Sequence, residues 1–207
     1  LLNILPAPVA ARLKDDADET IADGFDYACV MFADIVAYTQ VAAHLPPHDV
    51  FSLLNRVFSA FDDLVDKYGL EKIKTIGDAY MVAGGLNLET ARHVHAMASL
   101  ALEMRALLQR DGAINPAGLE LHIGIATGPV IAGVLGRAKF VYDLWGDTVN
   151  IASRITEEAV AGQILCDAET QRILGSDFVF GPPLQRDLRG RGSTRLYELG
   201  PADVRSA

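Results

Sequence analysis

The chain has 207 residues, of which 50% are hydrophobic and 22% charged, so it can bury the core of one full domain. Its net charge of −9 and isoelectric point near 4.9 exclude the basic surface that is typical of nucleic-acid-binding proteins. It has no apolar run of about 18 residues that could span a bilayer. Its two cysteines, Cys29 and Cys166, lie in apolar segments, which predicts buried thiols in a reducing compartment rather than a disulfide framework.

The first 24 residues differ in pattern from the rest of the chain. A short helix with Pro8 in its first turn is predicted, and an acidic stretch over residues 15–19 follows it. This segment is either a solvated linker or a signalling or dimerising helix, and the main domain is expected over residues 25–207. Because the chain begins with Leu1, we interpret it as a fragment excised from a longer protein.

Hydrophobic periodicity then predicts the elements of the main domain in chain order. An apolar run predicts a strand over 27–33, and apolar residues at spacings of three or four predict a helix over 49–68. Gly77 and Asp78 separate two short apolar segments, which is typical of a tight hairpin. The remaining predictions are strands over 71–76 and 79–83, a helix over 89–110, strands over 119–127 and 140–142, a helix over 148–161, and strands within 178–199. This order favours an α+β fold in which helices cover a largely antiparallel sheet.

Several familiar site motifs are missing from the chain. It has no Walker-type phosphate loop, no GxGxxG, no HExxH and no GxSxG. His93 and His95 are two residues apart on a predicted helix and therefore face different ways. His44 and His48 flank two prolines, so we interpret them as loop residues rather than metal ligands.

Two carboxylates occupy positions that favour a metal site. Asp34 ends the first predicted strand, and Asp78 occupies the hairpin turn. Either residue alone is compatible with ordinary turn chemistry. Together they suit a hard divalent cation such as Mg²⁺, which favours one or two carboxylates plus substrate phosphates.

Two further segments carry polar groups in apolar surroundings. Alternation along the strand predicts that Lys74 shares one face with Lys72 and Ile76. Either the two lysines extend to solvent, or Lys74 is a hydrogen-bond donor to a ligand. In the predicted helix that starts near Asp147, residues Asn150 and Arg154 share a face. Either Asp147 is the N-cap and these two residues lie on a solvent-exposed face of the helix, or they bind a sugar and a phosphate.

Three segments, residues 32–39, 72–81 and 142–154, together resemble the class III nucleotidyl cyclase catalytic domain in order and spacing. The likeness covers residues 26–200, while residues 1–24 resemble the segment that links bacterial cyclase domains to upstream regulatory regions. The resemblance implies a ferredoxin-like, palm-type sheet, mostly antiparallel and covered by helices.

The resemblance also implies roles for individual residues. Asp34 and Asp78 match the two metal-binding aspartates, with the backbone carbonyl of Ile35 as a further ligand. Lys74 and Asp143 match the pair that reads adenine, because a lysine donates to a ring nitrogen and an aspartate accepts from the exocyclic amine.

The remaining matches concern the ribose and the phosphates. Asn150 matches the residue that orients the ribose, and Arg154 matches the one that stabilises the transition state. Arg195 stands where the family carries a triphosphate-binding lysine; it keeps the charge but changes the geometry.

These matches imply an adenylate cyclase that converts ATP to 3′,5′-cyclic AMP and pyrophosphate. Two divalent ions, Mg²⁺ or Mn²⁺, would assist attack of the ribose 3′-hydroxyl on the α-phosphate. The site would be shared in a homodimer, with the metal aspartates from one subunit and the base, ribose and arginine contacts from the other. The catalytic domain is expected in the cytoplasm, with membrane anchoring of the full-length protein left open.

Three alternatives are weighed against this hypothesis. Guanylate cyclases carry Glu and typically Cys at the positions of Lys74 and Asp143, which argues against that activity. A silent signalling module would usually lose an aspartate or the arginine, and this chain keeps Asp34, Asp78 and Arg154. The acidic composition disfavours a nucleotide polymerase palm.

Overall fold

Eight strands and six helices are present in the computed structural model, which describes residues 5–15, 20–36, 38–86, 92–136 and 140–200. In chain order they are α1 (Ala7–Asp15), β1 (Ala22–Ile35), α2 (Tyr38–Ala42), α3 (Pro47–Tyr68), β2 (Glu71–Ile76), β3 (Ala79–Gly84), α4 (His93–Arg110), β4 (Leu121–Leu135), β5 (Val141–Trp145), α5 (Asp147–Glu158), β6 (Ile164–Asp167), α6 (Ala168–Leu174), β7 (Leu184–Leu188) and β8 (Gly192–Glu198).

The strands form one sheet in the order β2-β3-β1-β4-β6-β8-β7, and β5 pairs with the second half of β4. Among the described pairs, β4 and β6 are parallel and the others are antiparallel. The expected α+β fold with a mostly antiparallel sheet is confirmed.

Helices cover both faces of the central strands. Met31 and Ala33 of β1 belong to the core beneath α3 and α4, whereas Val30 and Phe32 belong to the core beneath α5. Burial on both faces explains why β1 is a continuous apolar run rather than an alternating pattern. Both cysteines are fully buried, as predicted, and burial raises the pKa of the Cys29 thiol to about 12.

The structure extends several predicted elements and adds others. Strand β4 continues to Leu135 and β5 to Trp145, well beyond the predicted 119–127 and 140–142. The short elements α2, β6 and α6 were not predicted, because segments of four to seven residues carry too little periodicity. The predicted start of α4 at Glu89 lies outside the described residues, and the described helix begins at His93.

The second half of β4, residues 130–135, pairs with β5 on one edge and with the start of β1 on the other, and we call this half of β4 together with β5 the arm. One face of the arm is apolar and open: Ile131 pairs directly with Trp145 and Leu135 with Val141, and these side chains are 36–60% exposed. Exposed apolar patches of this kind mark interaction surfaces.

The other face of the arm is covered by α1. Val9 and Leu13 of the helix are buried in a small core to which Val134 and Tyr142 of the arm contribute, and Arg12 pairs with Asp23 at 2.6 Å. The helix predicted after Pro8 is therefore present, with its apolar side packed on the sheet. No helix among the described residues is both long and apolar enough to cross a bilayer.

Candidate active site

Asp34 and Asp78 are brought together because β1 pairs with β3. Asp34 lies opposite Ala79 in the register, and Asp78 precedes Ala79 in the β2–β3 turn. Burial raises the pKa of Asp78 and the neighbouring Asp34 carboxylate raises it further, although the backbone N–H of Asp78 acts the other way. Two converging carboxylates, one of them partly desolvated, fit a hard divalent cation.

The described side chains around this carboxylate pair do not make up a complete metal site by themselves. Oδ1 of Asp34 accepts a hydrogen bond from the Ile35 backbone at 3.0 Å. No group of three or more His, Cys, Asp or Glu side chains within the described ranges could hold a metal by itself. The donor set therefore fits ions that also bind the phosphates of a substrate, as Mg²⁺ commonly does.

His122 is a neighbour of this pair that the sequence analysis missed. It lies on β4 directly opposite Asp34, with Nε2 at 3.3 Å from Oδ2 of Asp34 and Nδ1 at 2.9 Å from the carbonyl oxygen of Ala159. The contact with Asp34 raises the pKa of His122, while burial opposes this. A polar residue inside an otherwise apolar strand was the available signal, but the β1–β4 register was needed to interpret it.

Lys74 and Asp143, which are 69 residues apart in sequence, form an ion pair between β2 and β5. The side chains are 35% and 16% exposed, so the pair is partly shielded from water. A cationic donor and an anionic acceptor therefore stand side by side at one place on the sheet.

A β-bulge explains why Lys74 reaches this position. The register of β2 against β3 shifts between Lys72 and Lys74, so that Lys72 lies opposite Val82 and Lys74 opposite Met81. Lys72 faces α3, where it donates to Asp62 at 2.6 Å. The prediction that Lys72 shares a face with Lys74 is wrong, because the extra residue in the bulge turns the two side chains to opposite sides.

Helix α5 presents Asp147, Asn150 and Arg154 along one side. Gly146 occupies the N-cap position without a side-chain hydrogen bond, so the alternative in which Asp147 caps the helix is wrong. Asp147 instead pairs with Arg191 in the β7–β8 turn. Asn150 is exposed and Arg154 is half-buried.

Arg154 is directed towards the β7–β8 turn, where a Cβ built on Gly190 would lie 3.8 Å from its Nη1 atom. In the sheet, β4 and β6 separate β8 from β1, the strand of Asp34. Three strand spacings correspond to about 14 Å. Arg154 is therefore directed towards a part of the sheet that lies three strands from the strand of Asp34.

Arg195 lines a cavity of about 520 Å³ between β4, the start of α5 and β8. Asp147 and Arg191 line the same cavity. Arg195 therefore lies near the start of α5 and does not contact Asp34 or Asp78.

The loop prediction for His44 and His48 holds for only one of them. His44 lies in the turn between α2 and α3, whereas His48 is the second residue of α3, because Pro47 already occupies the first turn of that helix. Both side chains are exposed. Nδ1 of His44 donates to the carbonyl of Gln40 at 2.7 Å, and His95 contacts Asp177 at 3.0 Å.

Comparisons with known proteins show which family the chain resembles. A family model of the adenylate and guanylate cyclase catalytic domain matches residues 21–200. The chain is 43% identical over 216 residues to an adenylate cyclase of Mycobacterium tuberculosis, covering 100% of this chain and 48% of the relative. The chain thus spans about half the length of that relative.

Solved structures named for either nucleotide are also similar. The guanylate cyclase domain of a Catenaria anguillulae protein in complex with GTP has a TM-score of 0.81 and 29% identity, covering 86% of this chain and 97% of that one. The adenylyl cyclase CyaB from P. aeruginosa has a TM-score of 0.80 and 23% identity, covering 90% and 99%. The shared fold alone therefore leaves the choice of base to individual side chains.

Proposed function

The chain belongs to the family of adenylate and guanylate cyclase catalytic domains, and on that premise we propose that it is an adenylate cyclase that converts ATP to 3′,5′-cyclic AMP and pyrophosphate. The observation that carries this choice is the ion pair between Lys74 and Asp143. A cytoplasmic location is part of the proposal, since ATP is an intracellular substrate and both thiols are free.

The pair matches the hydrogen-bonding edge of adenine. The ammonium of Lys74 can only donate and suits the ring nitrogen N1, whereas the carboxylate of Asp143 can only accept and suits the exocyclic amine. Guanine presents a donor at N1 and an acceptor at the neighbouring exocyclic position, so it would leave both side chains without partners. Unpaired, partly buried polar groups are costly, which makes the pair selective.

Asp34 and Asp78, with the carbonyl of Ile35, would hold up to two divalent ions, Mg²⁺ or Mn²⁺. When bound, the ions would supply Lewis-acid activation of the ribose 3′-hydroxyl and neutralise phosphate charge. The two carboxylates fix where the α-phosphate comes to rest, because they converge from β1 and from the β2–β3 turn.

Asn150 and Arg154 would act on the ribose and on the reacting phosphate. The amide of Asn150 orients the ribose, so that its 3′-hydroxyl faces the α-phosphorus in line with the leaving pyrophosphate. The guanidinium of Arg154 donates to phosphate oxygens where negative charge develops. Arg195, which lies on β8, adds positive charge that binds the triphosphate.

Two observations support a homodimer with shared sites. Arg154 is directed towards Gly190 in the β7–β8 turn, and β8 is three strands from the strand of Asp34, which supports a site that takes these groups from two subunits. The open apolar face of the arm, with Ile131 and Trp145, is a surface suited to a second copy. Asp143 lies between Val141 and Trp145 in β5, so dimer contacts would also hold the base-reading residue in place.

The test is product formation from ATP and from GTP with Mg²⁺ or Mn²⁺. We expect cyclic AMP from the wild type, and loss of ATP turnover with a gain in relative GTP turnover in the double variant Lys74→Glu, Asp143→Cys. Two lost hydrogen bonds to the wrong base correspond to about 2–6 kcal/mol, or at least 10-fold in selectivity.

Lys72→Glu is the matched control, because Lys72 is two residues away but faces α3. It should keep the selectivity for ATP. Preferential cyclic GMP formation by the wild type would show a guanylate cyclase. Absence of product from both nucleotides, in a folded dimer with metal present, would show a silent member of the family.

A further inference from the structure

His122 connects two parts of the site that the sequence places far apart. It faces Asp34 across the β1–β4 pair, and it also reaches the carbonyl of Ala159, which ends α5. We propose that His122 is a positioning residue that holds the Asp34 carboxylate for metal binding. The inference rests on the proposed function, because it takes Asp34 as a metal ligand.

The orientation of the imidazole is set by its contact with α5. A carbonyl oxygen can only accept, so Nδ1 of His122 carries the hydrogen that is donated to Ala159 at 2.9 Å. This bond fixes the ring plane and places Nε2 3.3 Å from Oδ2 of Asp34, to which the doubly protonated ring donates its second hydrogen. The side chain is 20% exposed, so water competes little for either nitrogen.

Both carboxylate oxygens of Asp34 contact neighbouring groups. Oδ1 accepts from the Ile35 backbone N–H, and Oδ2 faces Nε2 of His122. Each carboxylate oxygen has a second lone pair, so a cation can still bind without displacing these partners. The carboxylate is thereby held in one orientation before a metal arrives, and loss of such a supporting partner typically costs ~10–100-fold in metal affinity.

The same bond ties the metal carboxylate to α5. That helix carries Asn150 and Arg154, and Ala159 follows its last turn. His122 thus keeps Asp34 in register with the element that, in a shared dimer, completes the opposite site.

The alternative role is purely structural, with His122 serving only to satisfy the Ala159 carbonyl. Two substitutions separate these roles, because Asn places a donor near the position of Nδ1 and Gln places one near the position of Nε2. His122→Gln keeps the contact with Asp34 and loses the bond to Ala159. His122→Asn keeps the bond to Ala159 and loses the contact with Asp34.

The readout is binding of Mn²⁺, measured by electron paramagnetic resonance in the presence of the non-hydrolysable analogue α,β-methylene-ATP. We expect His122→Asn to weaken Mn²⁺ binding at least ~10-fold and His122→Gln to stay within about threefold of the wild type. His122→Leu, which has no donor, repeats the test in a third side chain and should behave like His122→Asn. Thermal unfolding of each variant establishes a temperature at which it is folded.

Two control variants test whether the change in Mn²⁺ binding is specific to this site. His48→Ala, at an exposed position on α3, should leave Mn²⁺ binding unchanged. Asp34→Asn should abolish it, and an Asp34→Asn variant that binds Mn²⁺ normally would overturn both the metal site and this inference. If Asp34→Asn loses the metal while His122→Asn and His122→Leu bind like the wild type, or if His122→Gln loses as much as they do, the positioning role alone is overturned.

Discussion

Gly124 of β4 lies directly beneath Thr156 of α5, so close that a Cβ at position 124 would stand 2.4 Å from the Thr156 backbone nitrogen. A Cβ at Gly128 would likewise lie 2.7 Å from Oγ1 of Thr148 at the start of the helix. The two glycines let α5 settle onto the strand, which sets the height of Asn150 and Arg154 above the sheet.

Gly124→Ala should therefore damage both stability and activity. The added methyl group meets backbone atoms that cannot rotate away, and overpacking of this kind costs about 1–3 kcal/mol in the free energy of unfolding. A shift of α5 by about 1 Å is also enough to lower turnover ~100-fold. Urea denaturation and cyclic AMP formation measure the two effects.

Gly112→Ala is the matched control, because a Cβ at that exposed position meets nothing within 4 Å. It should change stability and turnover little. If Gly124→Ala were as stable and active as Gly112→Ala, the close contact between β4 and α5 would have no role in placing the site.

Mn²⁺ should stabilise the wild-type protein but not Asp34→Asn. A ligand at 100 times its dissociation constant adds about 2.7 kcal/mol, which raises Tm by about 5–10 °C in a chain of this size. Without metal, Asp34→Asn should unfold close to the wild-type temperature, because the substitution removes both the repulsion with Asp78 and the attraction to His122. Calorimetry with and without MnCl₂ measures both effects.

Asp63→Asn, an exposed change on α3, should keep the full Mn²⁺ response. An equal rise in Tm for Asp34→Asn and the wild type would contradict a metal site at this carboxylate.

Mixing two inactive variants should restore activity. Asp34→Ala lacks the metal half of a shared site, and Arg154→Ala lacks the arginine half, so each homodimer has two broken sites. Random exchange gives about half mixed dimers, each with one intact site, so activity should recover to roughly a quarter of the wild-type value at equal total protein. Persistent inactivity after exchange is verified by a fluorescent label would exclude the shared site.

A charge on the open face of the arm should weaken the dimer. Trp145→Asp would bury an unpaired carboxylate in the contact, which costs several kcal/mol and raises the dissociation constant ~100-fold or more. Sedimentation should show monomers at micromolar concentration, and specific activity should rise steeply with protein concentration. Val179→Asp is the control, since Val179 is also apolar and is 61% exposed, but its backbone pairs with Gly200 rather than with the arm. Unchanged sedimentation of Trp145→Asp would show that dimers form through another surface.

Periodicity and turn chemistry were enough to predict the elements that make up the bulk of the site. Helix α3 is strongly amphipathic and is bounded by Pro47 and Gly69, so its limits follow from local preferences. The β2–β3 hairpin also follows locally, because Gly77 adopts a left-handed conformation that the turn requires. These local patterns place Asp34 at the end of a strand and Asp78 in a hairpin turn, while their role as a metal-binding pair is what the family resemblance implies.

What the sequence by itself determined is therefore the local part: which segments become strands or helices, and which polar residues stand at their ends. Tertiary structure alone decided the rest, because contacts between distant strands depend on register. The bulge before Lys74 separates it from Lys72 and brings it to Asp143, and the β1–β4 pairing sets His122 against Asp34. A shift of one residue in either pairing would turn these side chains to the opposite face. The bulge in β2 and the long-range pairing of β1 with β4 depend on packing between distant segments, so strict alternation along one strand does not predict them.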